Sequence, residues 1–331
     1  MTKDYDKQQY RDQLRAQLCD IEAELKYYEN SFNDKHVFCN FNDTETSNFW
    51  RYFSTNFKRL NLKQLTATSF SPNGSSYRLD IYKHVPDEIK NSTSSQIFDD
   101  TELLNVYRTP LKGNGDFQSD ECIAILEECD IVVTYPPTPL MNELSQLLLE
   151  YQKDFVLMSN EVILKFSKFS NFITLFKENK IWVGQTTVPS DGWMIVPDGL
   201  ETPGKNKIRN SLGQELINIQ GICWFTNLDN IRRHIELPMF MQYTPDSYPR
   251  YKNYKAININ KIKEIPYDYY EAMGVPVSFL KSYNPDQFQI ISLLNKKDAP
   301  NYYIPGFKDK GGRPWAEDSF TYVRLLIKRK S

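Results

Sequence analysis

Asp130-Ile131-Val132-Val133-Thr134-Tyr135-Pro136-Pro137-Thr138 runs a short apolar stretch straight into a double proline. The run Ile131-Val132-Val133 reads as a buried strand. Pro136, Pro137 and Pro139 stop it abruptly, because proline has no amide donor and fixes φ. A helix from about Glu121 to Glu128 precedes this strand, and a second from Met141 to Tyr151 follows it. The apolar strand Phe155-Val156-Leu157-Met158 comes next. A helix near Phe169 to Glu178 then leads to the strand Ile181-Trp182-Val183-Gly184. Toward the N-terminus, Leu14, Leu18, Ile21, Leu25 and Tyr28 recur at spacings of three and four, the period of an amphipathic helix. A short strand at Val37-Phe38-Cys39 follows, then a turn-rich Asn42-Asp43-Thr44. A helix runs from Asn48 to Leu60, and a strand covers Leu65 to Phe70. Strands alternating with helices over 30–180 predict a mainly parallel α/β sheet.

Residues 71–120 are polar and turn-rich, with one alternating piece, Tyr77-Arg78-Leu79-Asp80-Ile81-Tyr82, that fits a hairpin strand. After Gly184 the texture changes to Gly/Pro punctuation, short β-like pieces and many tyrosines. The expected organisation is a core over 1–185, with 186–331 supplying extra strands and insertions packed on the same sheet. Trp224 and Trp182 read as core residues, and Met273-Gly274 as a turn.

Composition narrows the class. The 331 residues are 40% hydrophobic and 14% aromatic, enough for a sizeable core, which excludes a disordered or fibrous chain. Mean hydropathy is -0.57, and no apolar run approaches the roughly 18 residues of a membrane span. The start, Met1-Thr2-Lys3-Asp4-Tyr5-Asp6, is polar where a signal peptide needs an apolar stretch. Five cysteines without a C-x-x-C pair argue against a disulfide framework and a zinc site. His36, His84 and His234 lie far apart, and no metal is expected. These features predict a soluble, cytoplasmic protein with no membrane partner. Charge is uneven: residues 1–150 hold 15 Lys and Arg against 24 Asp and Glu, a net of -9. Residues 151–331 hold 25 against 18, a net of +7. Such asymmetry marks either a polyanion-facing half or two differently decorated faces of one globule.

In open α/β sheets ligands bind beyond the carboxyl ends of the strands. Two such ends are unusual: Cys39-Asn40-Phe41-Asn42-Asp43, and the double-proline loop after Thr134. With Gly113-Asn114-Gly115-Asp116-Phe117 they outline a cofactor crevice. Here the sequence resembles the EcoRI-type family of adenine-specific DNA methyltransferases over nearly its whole length. Asp20-Ile21-Glu22-Ala23-Glu24-Leu25 with Tyr27-Tyr28, Ser47-Asn48-Phe49 with Tyr52-Phe53, and Gly115-Asp116-Phe117 are similar to family blocks. So are Lys180-Ile181-Trp182-Val183-Gly184, Trp224-Phe225-Thr226-Asn227-Leu228 and Tyr248-Pro249-Arg250-Tyr251. Met273-Gly274-Val275-Pro276 and Tyr283-Asn284-Pro285-Asp286-Gln287-Phe288 complete the series in order.

The resemblance implies a Rossmann-like class I methyltransferase sheet that binds S-adenosylmethionine and flips an adenine out of duplex DNA. In the family an N-P-P-F loop does the chemistry. The Asn oxygen and a proline carbonyl accept the amine hydrogens, and the aromatic stacks on the base. This chain departs there, with Tyr135-Pro136-Pro137-Thr138. The Tyr135 phenol sits farther out than an amide oxygen, and Thr138 has no stacking face, forgoing roughly 1–3 kcal/mol. Leu14-Arg15-Ala16 replaces the family's F-Y-T run, and Cys39-Asn40-Phe41-Asn42-Asp43 replaces C-N-C-D-D. Cys39, Asn40, Asp43, Asp116 and Phe117 are the cofactor residues the resemblance implies. On the basic side, Arg250, Lys252 and Lys255 among Tyr248, Tyr251 and Tyr254, with Arg232 and Arg233, suit phosphate contact to double-stranded DNA. The tyrosines fit a packed face equally well. Three functions follow: an inactive methyltransferase-like protein that binds DNA or an active methyltransferase paralogue, a working enzyme with an atypical loop, or an interaction module without cofactor or DNA.

Overall fold

The structure is a computed structural model describing residues 14–331 except 42–45, 72–75, 91–92, 99–102, 165–169, 203–206, 307–311 and 318. The chain divides into two compact units, Met1–Asn160 with Gly184–Leu228, and Glu161–Val183 with Asp229–Ser331. This differs from a division into 1–185 and 186–331. None of the described helices is long and apolar enough to cross a membrane.

In chain order the first unit contains α1 (Leu18–Leu25), β1 (His36–Cys39), α2 (Asn48–Thr55), β2 (Gln64–Thr68), β3 (Tyr77–Tyr82), β4 (Ser94–Phe98) and β5 (Leu103–Pro110). It continues with α3 (Asp120–Glu128), β6 (Ile131–Thr134), α4 (Met141–Glu150) and β7 (Asp154–Asn160). After the excursion come β8 (Trp193–Ile195), β9 (Lys207–Arg209), β10 (Glu215–Asn218) and β11 (Ile222–Thr226). Ser47 caps α2 by accepting the Phe49 amide, and Phe49, Trp50, Tyr52 and Phe53 bury one face of that helix. Ser119 caps α3 in the same way through the Cys122 amide.

Within this unit the main sheet runs β4-β5-β3-β2-β1-β6-β7-β11. Its pairings β1·β2, β1·β6 and β6·β7 are parallel. Those of β2·β3, β3·β5, β4·β5 and β7·β11 are antiparallel. The sheet is therefore mixed, and the expectation of a mainly parallel one is corrected. A parallel neighbour needs a crossover of about a dozen residues or more, which α2 and α4 supply. The strands β3, β4 and β5 pair antiparallel instead, β3 with β2 and β5, and β4 with β5. The stretch 71–120 thus holds three strands where the alternation reveals one.

Two further corrections concern the ends of this unit. Leu14-Arg15-Ala16 is not the first turn of the opening helix. Arg15 forms an antiparallel bridge with Ile195, with N–H to O distances of 2.9 and 2.8 Å, and α1 begins only at Leu18. Of residues 186–228, only β11 joins the main sheet, while β9-β10-β8 form a separate antiparallel one. Two buried carboxylates on α1 hold the 185–190 segment that leads into β8. Glu24 accepts from Tyr28 Oη (2.8 Å), Gln185 N (2.7 Å), Thr186 N (2.7 Å) and Thr186 Oγ1 (2.5 Å). Asp20 accepts from Ser190 N (2.9 Å) and Ser190 Oγ (2.6 Å). Burial pushes the Asp20 carboxyl up, and the Ser190 hydrogen bonds oppose the shift.

The second unit contains α5 (Ser170–Lys177), β12 (Ile257–Asn258), β13 (Met273–Pro276), β14 (Phe288–Leu293) and β15 (Arg324–Arg329), in sheet order β12-β13-β15-β14. Met273-Gly274 is not a turn but part of β13. A Cβ at Gly274 would stand 2.5 Å from Tyr251 Oη, so the missing side chain makes room for a phenol ring. Tyr248, Tyr251 and Tyr254 are all buried, with Tyr251 Oη donating to Asn258 Oδ1 at 2.7 Å. The packed-face reading of these tyrosines holds, and none of them is a stacking platform.

At the start of β1, the His36 ring is buried, with Nε2 2.8 Å from Thr66 Oγ1. Thr66 donates in turn to Asp80 (2.7 Å), which takes a bidentate pair from Arg78. Burial drives the His36 pKa from 6.5 down to about 4. Between these values the unfolded chain binds a proton that the folded chain refuses, so stability present above pH 6.5 is lost as pH falls through about 4. The loss expected from this group is about 3 kcal/mol, at about 1.4 kcal/mol per pKa unit. Urea unfolding at pH 7 and pH 4.5 should show His36→Gln losing less stability than the parent over that interval.

Candidate functional site

Strand order reverses between β1 and β6. From β1 the chain crosses through α2 to β2 on one side, and from β6 through α4 to β7 on the other. The crevice beyond the carboxyl ends at such a reversal is where ligands of open α/β sheets sit. Here Cys39-Asn40-Phe41 leaves β1 beside Thr134-Tyr135-Pro136-Pro137-Thr138 leaving β6. The Thr134 hydroxyl donates to the Asn40 carbonyl and laces the two ends together.

A third loop is built onto this edge. Gly115 has φ +77°, and a Cβ there would lie 2.1 Å from the Ser69 carbonyl oxygen, so only glycine fits where the loop crosses the end of β2. Glu121, in the first turn of α3, accepts the amides of Lys112 (2.9 Å) and Gly113 (2.8 Å). Those two amides hold its carboxyl below the usual range. One oxygen of Asp116 accepts from Gln118 N (2.8 Å), and an ionised carboxylate has a second to offer. Phe41 has φ +66°, and its ring centroid lies 5.0 Å from that of Phe117. Tertiary structure thus brings together Asn40, Asp116 and Phe117, three of the implied cofactor residues. Asp43 lies outside the described residues. The Cys39 side chain is core, and burial pushes its thiol up.

The double-proline loop is largely occluded. Tyr135 is 6% exposed and shares the main hydrophobic cluster with Val133, Met158 and Trp224. Pro136 and Thr138 are buried as well, with Pro137 half-buried.

On the second unit, Arg250, Lys252 and Lys255 are exposed between the buried tyrosines, and Lys252 Nζ lies 4.9 Å from the Trp315 ring centroid. Arg232 and Arg233 have structural partners instead. Arg232 Nε donates to the Lys281 carbonyl (2.7 Å), and the Arg233 guanidinium sits 3.8 Å over the Trp182 ring. Exposed aromatic and apolar surface comes from residues the tyrosine spacing does not point to. Phe240 is 81% exposed, and Met241, Tyr267 and Tyr270 are exposed too, with Arg329 over the Tyr270 ring at 4.9 Å. Hydropathy alone assigns such residues to a core, which is why sequence reasoning passes over them. Charge follows the compact units more sharply than the halves. The first unit holds 19 Lys and Arg against 29 Asp and Glu, a net of -10, and the second 21 against 13, a net of +8.

The family model for adenine-specific methyltransferase EcoRI matches residues 4–330. The chain is 37% identical over 328 residues to the Type II methyltransferase M.EcoRI of Escherichia coli, covering 96% of this chain and 93% of that protein. It is 36% identical over 320 residues to the Type II methyltransferase M.MpnI of Mycoplasma pneumoniae, covering 94% and 92%. The Type II methyltransferase M.MgeORF184P of Mycoplasma genitalium is 34% identical over 320 residues, covering 94% and 93%. No solved structure matches the chain.

The Gly115 contact sets an expectation for stability. Gly115→Ala should cost roughly 2–3 kcal/mol, combining a left-handed φ with a backbone collision. Gly199→Ala, at φ +78° with nothing within 4 Å, should cost about 1 kcal/mol. Equal costs in chemical denaturation would remove the Ser69 contact from the account.

Proposed function

The chain belongs to the EcoRI family of adenine-specific methyltransferases, and from that membership we propose a DNA adenine methyltransferase-like protein whose own catalytic loop is inactive and whose DNA- or partner-binding role is retained. The observation that carries this reading is the loop Tyr135-Pro136-Pro137-Thr138 itself. It stands at the strand-order reversal with Tyr135 and Thr138 turned into packed surroundings. Adenine methylation needs an acceptor beside the target amine and a ring against the target base. A phenol buried in the main apolar cluster supplies neither, and Thr138 has no π face.

The order reversal between β1 and β6 supports a Rossmann-like core with S-adenosylmethionine as its group, which supplies a sulfonium methyl when bound. Asn40 and Asp116 fit such a group as polar contacts, and Phe117 fits it less well because its ring is covered. Binding is therefore weak in this proposal, and Asp116 carries what adenosine contact remains. Arg250, Lys252 and Lys255, exposed on a unit of net charge +8, are the phosphate contacts to double-stranded DNA.

A labelled-methyl assay on mixed-sequence duplex DNA tests the loop. The chain is expected to transfer nothing above background. Robust incorporation that S-adenosylhomocysteine suppresses would establish instead a working enzyme with an atypical loop, which Pro136 and Pro137 favour by retaining the family's rigid turn. For the DNA surface, affinity should fall with salt at a slope of about -0.9 per phosphate contact. Replacing Arg250, Lys252 and Lys255 together with Ala should weaken binding about equally across sequences and flatten that slope by about one per residue. An unchanged slope in a fluorescence-anisotropy titration would remove this surface from the DNA interface.

A further inference from the structure

Phe41 does two unusual things at once. It adopts a left-handed backbone, and its ring lies on Phe117. A bulky residue at φ +66° is an outlier, and such conformations persist only where the surroundings over-determine them. Here the preceding carbonyl, Asn40 O, is held by the Thr134 hydroxyl, and the ring is held by Phe117 at a centroid distance of 5.0 Å and an interplanar angle of 46°. Phe117 is only 7% exposed, so its face is not open to a ligand. A purine sandwiched between the two rings would need roughly 7 Å, two stacking spacings of about 3.5 Å.

We infer that Phe41 is a built-in plug: its ring takes the place on Phe117 where the purine of an adenosine-containing ligand would stack, so such a ligand binds only by displacing it. This rests on the proposal that the crevice at the β1–β6 reversal takes an adenosyl group. It places the weakness of that binding in one side chain rather than in loss of the pocket. The loops on either side of Phe41 are each anchored, Gly115 close against the Ser69 carbonyl and the Asn40 carbonyl on the Thr134 hydroxyl. Because the plug occupies only the ring position, the part of the ligand beyond the ribose should not sense it.

Calorimetric titration of the full chain with S-adenosylhomocysteine, adenosine and methionine tests this, comparing the parent with Phe41→Cys and Phe41→Gly. Thermal melts establish that each variant is folded. Both variants should bind S-adenosylhomocysteine and adenosine about tenfold more tightly than the parent, with methionine affinity unchanged. Adding Phe117→Ala to Phe41→Cys should abolish the gain, because the vacated seat is then gone. If the parent binds S-adenosylhomocysteine and both folded variants bind it equally or more weakly, Phe41 is a wall of the pocket and not a plug, while the adenosyl reading of the crevice stands. If folded Phe41→Cys and Phe41→Gly bind neither ligand, plug and adenosyl reading fall together.

Discussion

The parallel pairing of β1 with β6 is the constraint on which the first unit is assembled. Both strands are four residues long and buried throughout, so neither would hold its place by its own ladder. The pair is fastened at both ends. At the amino end, Asp130 Oδ2 accepts from His36 N (2.7 Å), and Asp130 N donates to His36 O (2.9 Å). At the carboxyl end, the Thr134 hydroxyl donates to Asn40 O. These contacts join positions about ninety residues apart, and they fix where the order of strands reverses. The crossovers through α2 and α4 then diverge from that line, and the crevice is what their divergence leaves.

Two kinds of family block are thereby separated. Asp20, Glu24 and Gly184 lie in blocks that look chemical from their residue types, yet they are architectural. The carboxylates accept amides and hydroxyls from the Gln185–Ser190 segment, and a Cβ on Gly184 would stand 2.3 Å from Glu24 Oε1. Removing any one would leave a buried group unsatisfied or a collision, costs that fall on folding whatever the protein does. Tyr135 has no such frame role to keep, since its ring packs in the main apolar cluster.

Charge obeys the same division. The acidic excess belongs to the unit with the crevice and the basic excess to the other. In the basic unit the tyrosines that alternate with Arg250, Lys252 and Lys255 are spent on packing, so the cations act as point charges on a built surface.

The strand Ile131–Thr134, the helices flanking it and the family itself were legible in the sequence. Each is written in local terms: a β-branched run, a 3.6-residue period, a proline stop, a short motif in order. Strand direction around β3, β4 and β5, the residence of β11 in the main sheet, and the true role of Gly274 were not legible. They depend on which distant segment lies alongside, and a strand's own residues read the same for either neighbour. Phe41 shows the limit most clearly. Its place in the loop after β1 could be read from the sequence, but its left-handed φ and its seat on Phe117 arise where Thr134 and Asn40 close β6 onto β1, a contact that no local pattern encodes.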